Sequence, residues 1–259
     1  MHSGFVSLIG AGPGRAEFLT LAAIRSLEAA EVILYDALIG ADIQAYFPKN
    51  AKHVYVGKRC GEHSLSQTEI NERLVLYGLQ GYRIARLKGG DPFIFGRGSE
   101  EVTALRQHGI SYRIIPGISA LNGIAAAVGL PLTARTHSNE FRVIQGHNLP
   151  RTREDWQSLA SYRGTLVIFM GINKLPQIIQ QLLEHQANPQ HPIAIIETDI
   201  EGKQIVSKGS LASFHAEPFQ KRSSGPGIVY IGSNVDLMPE QFGSQFEEEK
   251  DELLIAHFS

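Results

Sequence analysis

The sequence predicts an α/β protein made of two α/β domains, and three observations predict it. Short apolar runs alternate with helically spaced runs from residue 5 to residue 128. Several of those apolar runs end in Gly-rich or Pro-containing turns, as strands feeding helices do. Beyond about Arg135 the alternation gives way to strands with few helices between them, so a boundary near Arg135 is the economical reading.

Residues 5–9 form the first apolar run, closed by Gly10-Ala11-Gly12-Pro13-Gly14. Leu19, Ala22, Ala23 and Leu27 carry helical spacing through 18–30, and 31–35 is a second strand ending at Asp36. Strand 53–56, helix 67–79, strand 83–87, helix 99–108 and strand 112–115 continue the series. A helix rich in Ala and Gly follows at 119–128, and Pro131 stops it. The second half holds strands at 141–144, 165–170, 193–196, 204–207 and 227–231, with helices near Trp156 and at 173–185. The pair 193–196 and 204–207 looks like a hairpin, which predicts a mixed sheet. The expected division is 1–134, 135–240 and an acidic tail at 241–259, read as solvated helix rather than a site.

Composition narrows the function. With 259 residues the chain buries roughly 70–75% of its unfolded surface, so no staple is required. A net charge of −2 advertises neither nucleic acid nor membrane over the whole surface. The single cysteine, Cys60, excludes a disulfide framework and favours a reducing compartment. No targeting segment precedes the first strand, so the cytoplasm is the expected location. No metal is expected.

Four strand ends carry special residues. The first glycine loop invites a dinucleotide-binding reading, but Arg15 stands where the fingerprint needs Gly or Ala. Pro13 also removes a backbone N–H that would cradle a pyrophosphate. The loop reads instead as a tight turn, either bare or letting a ligand approach the backbone. Asp36 ends the second strand, on the side where open parallel sheets bind ligands. It is a candidate base or hydrogen-bond acceptor, and equally a helix N-cap. Leu87-Lys88-Gly89-Gly90-Asp91-Pro92 closes the fourth strand and leads into Phe93, Ile94 and Phe95. Three large apolar residues in a turn point either to an apolar ligand surface or to a plug over the core. Arg97, between Gly96 and Gly98, suits a carboxylate. Ile115-Pro116-Gly117-Ile118-Ser119-Ala120 opens the helix at 119–128 from a further strand end.

These stretches together resemble the tetrapyrrole methylases, and within them the group acting on uroporphyrinogen III. The resemblance spans roughly residues 5–235, and its most specific part is Arg86-Leu87-Lys88-Gly89-Gly90-Asp91-Pro92-Phe93-Ile94-Phe95-Gly96-Arg97-Gly98. It rests also on Ile9 to Gly14, Tyr35-Asp36-Ala37-Leu38, Val56-Gly57-Lys58-Arg59, Ile115 to Ala120 and Gly129-Leu130-Pro131-Leu132-Thr133. The resemblance implies the class III methyltransferase fold, with the ligand cleft between the two domains, and a homodimer. It implies S-adenosyl-L-methionine as methyl donor and S-adenosyl-L-homocysteine as product. The implied reaction is C-methylation of uroporphyrinogen III at two pyrrole carbons, giving precorrin-2 via precorrin-1 for sirohaem or cobalamin synthesis. By the same resemblance Asp36 is the proton acceptor and Lys58 the proton donor. Pro13, Gly89, Gly90, Asp91, Ile94, Ser119, Ala120, Met170 and Gly227 line the cofactor site. Arg59, Arg97 and Arg135 are the candidate cations for a substrate with eight carboxylates. The chain departs from the family pattern at Arg15, Thr198-Asp199-Ile200, Pro226-Gly227 and Gly232-Ser233-Asn234. The alternatives are another methylase of this fold, acting on a later corrinoid, RNA or protein, a nicotinamide-dependent oxidoreductase, and a non-catalytic tetrapyrrole carrier.

Overall fold

A computed structural model of the chain describes residues 4–57, 65–199 and 202–240. Lys58, Arg59, Cys60 and the acidic tail therefore lie outside the described residues. The chain divides into two compact units, Met1–Gly123 and Ile124–Ser259.

The first unit is a five-stranded sheet with helices between its strands. In chain order it comprises β1 (Phe5–Gly10), α1 (Leu21–Glu28), β2 (Val32–Tyr35), α2 (Ala41–Gln44), β3 (Lys52–Tyr55) and α3 (Gln67–Leu79). It continues with β4 (Arg83–Lys88), α4 (Gly98–Gln107) and β5 (Ser111–Ile115). The strand order is β3-β2-β4-β1-β5, and all four pairings are parallel. Side chains alternate faces with period two, so each strand feeds two cores. Ile9, Ile33, Ala85 and Leu87 pack with Ala23, Leu27 and Ile43, from α1 and α2. Val6, Leu8, Val32, Leu34 and Ile84 pack with Ile70, Leu74 and Leu105, from α3 and α4. Each fully buried Leu or Ile contributes about 1.5–3 kcal/mol. Helix α3 begins where the polar sequence before it supplies a capping box, Ser66 with Glu69, a device that contributes about 1 kcal/mol.

Helix α5 (Ala120–Ala127) contains the division between the units. The second unit then runs β6 (Phe141–Gln145), α6 (Arg153–Ala160), β7 (Thr165–Phe169), α7 (Leu175–Glu184), β8 (Pro192–Thr198), β9 (Gln204–Ser210), α8 (Leu211–Ala216) and β10 (Gly227–Ile231). Its sheet order is β6-β7-β10-β8-β9, with β6 and β7 parallel and the other pairings antiparallel. Leu166, Ile168, Ile193, Ile195 and Val229 meet Trp156, Leu159, Ile178, Ile179, Leu182 and Leu211 of α6, α7 and α8. The short helices α2 and α8 are absent from the sequence reading, because four and six residues are too few to show a helical period. Among the described residues no helix is long and apolar enough to cross a membrane.

Candidate functional site

The glycine loops of the first unit interlock backbone to backbone. Gly12 and Gly90 exchange hydrogen bonds, Gly90 N donating to Gly12 O at 2.7 Å and Gly12 N to Gly90 O at 3.3 Å. Ala11 N donates to Lys88 O at 2.8 Å. A Cβ on Gly10 would stand 2.5 Å from Gly117 N and 2.6 Å from Gly90 O, so the loops after β1, β4 and β5 meet too closely for side chains. Gly90 takes φ +67°, a left-handed conformation that glycine adopts without a Cβ penalty. Asp91 staples the loops together: one carboxylate oxygen accepts from Gly117 N at 3.1 Å and the other from Phe93 N at 2.8 Å. Ser119 is buried and its hydroxyl accepts from Leu121 N at 3.2 Å. Pro13 lies against Gly123, where a Cβ would come within 2.8 Å of its ring.

The central loop answers the alternative left open for Phe93, Ile94 and Phe95. All three are exposed, at 55, 38 and 39%, so none plugs the core. Phe95 and Arg97 both take positive φ, 54° and 58°, on either side of Gly96. Strain of this kind in non-glycine residues concentrates where a loop must present a surface. Arg97 does not reach out unpaired: its Nε and Nη2 donate to the two oxygens of Glu100 at 2.7 Å each. The hydrogen bond to Glu100 raises Arg97 above the ordinary arginine value, and the same bond lowers Glu100 below the carboxylate range.

Asp36 stands at the end of β2 and does not cap α2, whose N-cap is Gly40. One of its oxygens accepts from Leu38 N at 3.1 Å, and the other lies 4.0 Å from Nη1 of Arg86. A Cβ on Gly89 would fall 2.7 Å from that of Leu38, so the Asp36 turn rests directly on the glycine loop after β4. The structure thus brings Asp36, Gly89, Gly90, Asp91 and Ser119 to neighbouring strand ends of one sheet.

Beneath Asp36 lies a buried charge cluster that the sequence reading missed. Ile84, Arg86 and Lys88 alternate along β4 and face the side that holds α4. Glu101 on α4 accepts from Arg86 Nε and from Lys88 Nζ, both at 2.9 Å and both at its Oε1. Arg86 also donates from Nη1 to Leu87 O at 2.9 Å. Burial opposes the charged form of Glu101, yet the Arg86 and Lys88 charges beside it hold its carboxyl below the ordinary range. Burial, helped by the Arg86 charge, lowers Lys88 below the ordinary lysine value, with Glu101 pulling the other way. Two cations inside an apolar strand were the available signal, because charge at alternate positions of a buried strand demands a partner.

The second unit places Met170 and Gly227 at one end of its sheet, since Phe169 pairs with Ile228. Met170 is exposed and takes φ +52° directly after β7, with Gln145 Nε2 at 3.7 Å from its sulfur. Arg135 is exposed on the connector 132–138, which is tied to Thr165 at the start of β7. It therefore stands at the opposite end of that strand from Met170, five strand residues or about 16 Å away. Asn234 makes this tie, donating to Leu132 O, Ser138 O and Thr165 Oγ1 at 2.9–3.1 Å. At the departure Thr198-Asp199, Asp199 accepts from Lys203 N at 2.8 Å and closes the β8–β9 turn.

Residues 6–205 match the family model of the Tetrapyrrole (Corrin/Porphyrin) Methylases. The crystal structure of uroporphyrin-III C-methyl transferase from Thermus thermophilus, complexed with S-adenyl homocysteine, is 34% identical with a TM-score of 0.75. That match covers 91% of this chain and 100% of the Thermus chain. A siroheme synthase of Edwardsiella ictaluri is 40% identical over 239 residues, 92% of this chain and 51% of the relative. Siroheme synthase 1 of Pectobacterium atrosepticum is 43% identical over 90% of this chain and 48% of its own length. The chain thus spans about half the length of the siroheme synthases it matches. With a family model over most of its length and a fully covered structural relative, the chain belongs to the tetrapyrrole (corrin/porphyrin) methylases.

Proposed function

We propose that this chain transfers methyl groups from S-adenosyl-L-methionine to two pyrrole carbons of uroporphyrinogen III, giving precorrin-2 by way of precorrin-1. The observation that carries the reading is the interlocked glycine platform at Gly10, Gly12, Gly90 and Gly117 with the Asp36 carboxylate beside it. Gly10 and Gly117 let the loops close on one another, and at Gly90, where a Cβ would meet nothing nearer than Ala120 N at 3.8 Å, the backbone is open to a ligand. Exposed Ile94 offers an apolar surface to the face of an adenine ring, and Pro13, Gly89, Gly90, Asp91, Ser119, Ala120, Met170 and Gly227 complete the set we assign to the cofactor.

S-adenosyl-L-methionine supplies a methyl group on a positively charged sulfur. The chain's own contribution is alignment, because holding two ligands in line replaces most of the entropy of a bimolecular encounter. As the pyrrole carbon bonds to the methyl group, the S–CH3 bond breaks, its electron pair stays on sulfur, and the ring becomes cationic. The methylated carbon already bears a side chain, so the proton that leaves comes from elsewhere on the macrocycle and its loss neutralises the charge. Asp36 faces that charge and accepts the proton. Lys58 is the proposed donor, and Arg59, Arg97 and Arg135 the proposed carboxylate-binding cations. Arg97 would exchange its Glu100 partner for a substrate carboxylate at little cost, both groups being solvent-exposed. The single cysteine favours a reducing compartment, and we read the enzyme as a cytoplasmic homodimer.

Anaerobic incubation with S-adenosyl-L-methionine and uroporphyrinogen III tests this. The expected product has gained two methyl groups by mass. No methylated tetrapyrrole from folded protein overturns the substrate, and methylation of a later corrinoid in its place selects another member of the fold.

A further inference from the structure

The buried cluster holds more positive charge than its own carboxylate requires. Glu101 is fully buried and its Oε1 is shared by Arg86 and Lys88 at the same 2.9 Å. Lys88 alone would neutralise it, and burying a second cation adds a large desolvation cost. The anion that accounts for the second cation is Asp36, whose free oxygen faces Arg86 Nη1 at 4.0 Å. Leu34 pairs with Arg86 in the sheet register, so Asp36, two residues on, projects from the same face as Arg86.

We propose that Arg86 is a positioning residue for Asp36, aiming the carboxylate and balancing its charge from below. At 4.0 Å the contact is electrostatic rather than a hydrogen bond, which leaves the oxygen's lone pairs available to substrate. The orientation is set from two sides: the Leu38 amide grips one oxygen and the Arg86 charge faces the other. Arg86 is itself immobilised by Glu101 and by the Leu87 carbonyl. With its side chain 3% exposed, it cannot reach a substrate carboxylate directly. Arg suits this place because one guanidinium donates to Glu101 and to the Leu87 carbonyl while still facing Asp36. Glu101 acts one step further back, as the clamp on Arg86.

This inference rests on the reading of Asp36 as the proton acceptor, and a double-variant cycle separates the two. Arg86→Gln, Arg86→Lys, Asp36→Asn and Arg86→Gln/Asp36→Asn are assayed with uroporphyrinogen III, and S-adenosyl-L-methionine affinity is measured by calorimetry. Arg86→Gln should fold, since Lys88 and Glu101 remain a neutral pair. We expect it to lower kcat by about 30-fold or more, with KM and cofactor Kd within about threefold. Arg86→Lys, which keeps the charge, should recover about tenfold over Arg86→Gln. In the Asp36→Asn background Arg86→Gln should cost less than about threefold, because its target is gone. A full, multiplicative loss in that background overturns the proposal, as does equal damage from Lys and Gln at position 86. Full activity of Arg86→Gln beside an inactive Asp36→Asn overturns the positioning role alone. Full activity of Asp36→Asn overturns the reading of Asp36 and this inference with it. If Arg86→Gln does not fold, Arg86→Lys with and without Asp36→Asn carries the same cycle, and an equal loss in both backgrounds overturns the proposal.

Discussion

The first unit buries Arg86, Lys88 and Glu101 in one cluster, while in the second Glu197, Thr165 and Asn234 are buried largely against the backbone and the Thr198 hydroxyl has no hydrogen-bond partner among the described residues. Glu197 accepts from Arg222 N and Ser223 N, and Asn234 grips the carbonyls of Leu132 and Ser138. In the first unit Oε2 of Glu101 likewise has no hydrogen-bond partner among the described residues, and a fourth charge, Asp36, stands at the cluster's edge. Backbone partners hold Glu197 and Asn234 without burying a second charged side chain beside them. Side-chain charge inside a sheet stabilises little by comparison and is tolerated where a field must be held in place. The difference teaches that the parallel sheet carries the electrostatics of the proposed chemistry, and that the mixed sheet supplies a framework for exposed residues such as Met170.

The comparison breaks first at Glu101. Glu101→Gln leaves Arg86 and Lys88 buried over an uncharged amide, and should lower unfolding free energy by about 3–5 kcal/mol in a denaturant titration. A loss under about 1 kcal/mol would show that the cluster is not energetically coupled. Asn234→Ala should cost less, about 2–3 kcal/mol, because it strands carbonyls that water can partly reach. If it cost more than Glu101→Gln, the ranking of the two regions would be reversed. Gly90→Ala sharpens the platform: its Cβ meets nothing nearer than Ala120 N at 3.8 Å, so only the positive φ opposes it. We expect about 1–2 kcal/mol in thermal melts, with weakened S-adenosyl-L-methionine binding by calorimetry if a ligand rests there.

The smallest effect is a pH dependence of the second unit. Burial lowers His191 below the ordinary histidine value. The folded protein then binds this proton less readily than the unfolded chain does. Stability from this group is complete above the unfolded value of about 6.5 and falls as pH drops through the folded one. His191→Gln should flatten the decline of Tm below about pH 6.5, and an unchanged slope would assign that decline to other groups.

Much of this was legible along the chain. The strands and longer helices announced themselves by period, and helix 67–79 coincides with α3 because Ser66 and Glu69 mark its start. The three strand-end loops were legible from their glycines and prolines, whose conformational demands are local. The exposure of Phe93, Ile94 and Phe95 was not legible, since an apolar residue in a loop fits a plug and a surface equally well. The ion pair of Arg97 with Glu100 was missed, although three residues on a helix start bring two side chains together.

By itself, then, the sequence determined the elements, their α/β alternation and the glycine motifs that place the chain in its family. These depend on φ preferences and periodicities that each short segment carries alone. Tertiary structure decided that Gly10, Gly90 and Gly117 meet, that Asn234 ties residues 132–138 to Thr165, and that Arg86 stands between Glu101 and Asp36. Those contacts join residues 15 to about 107 positions apart. They exist only because packing removes water from charged and polar groups, which must then find one another.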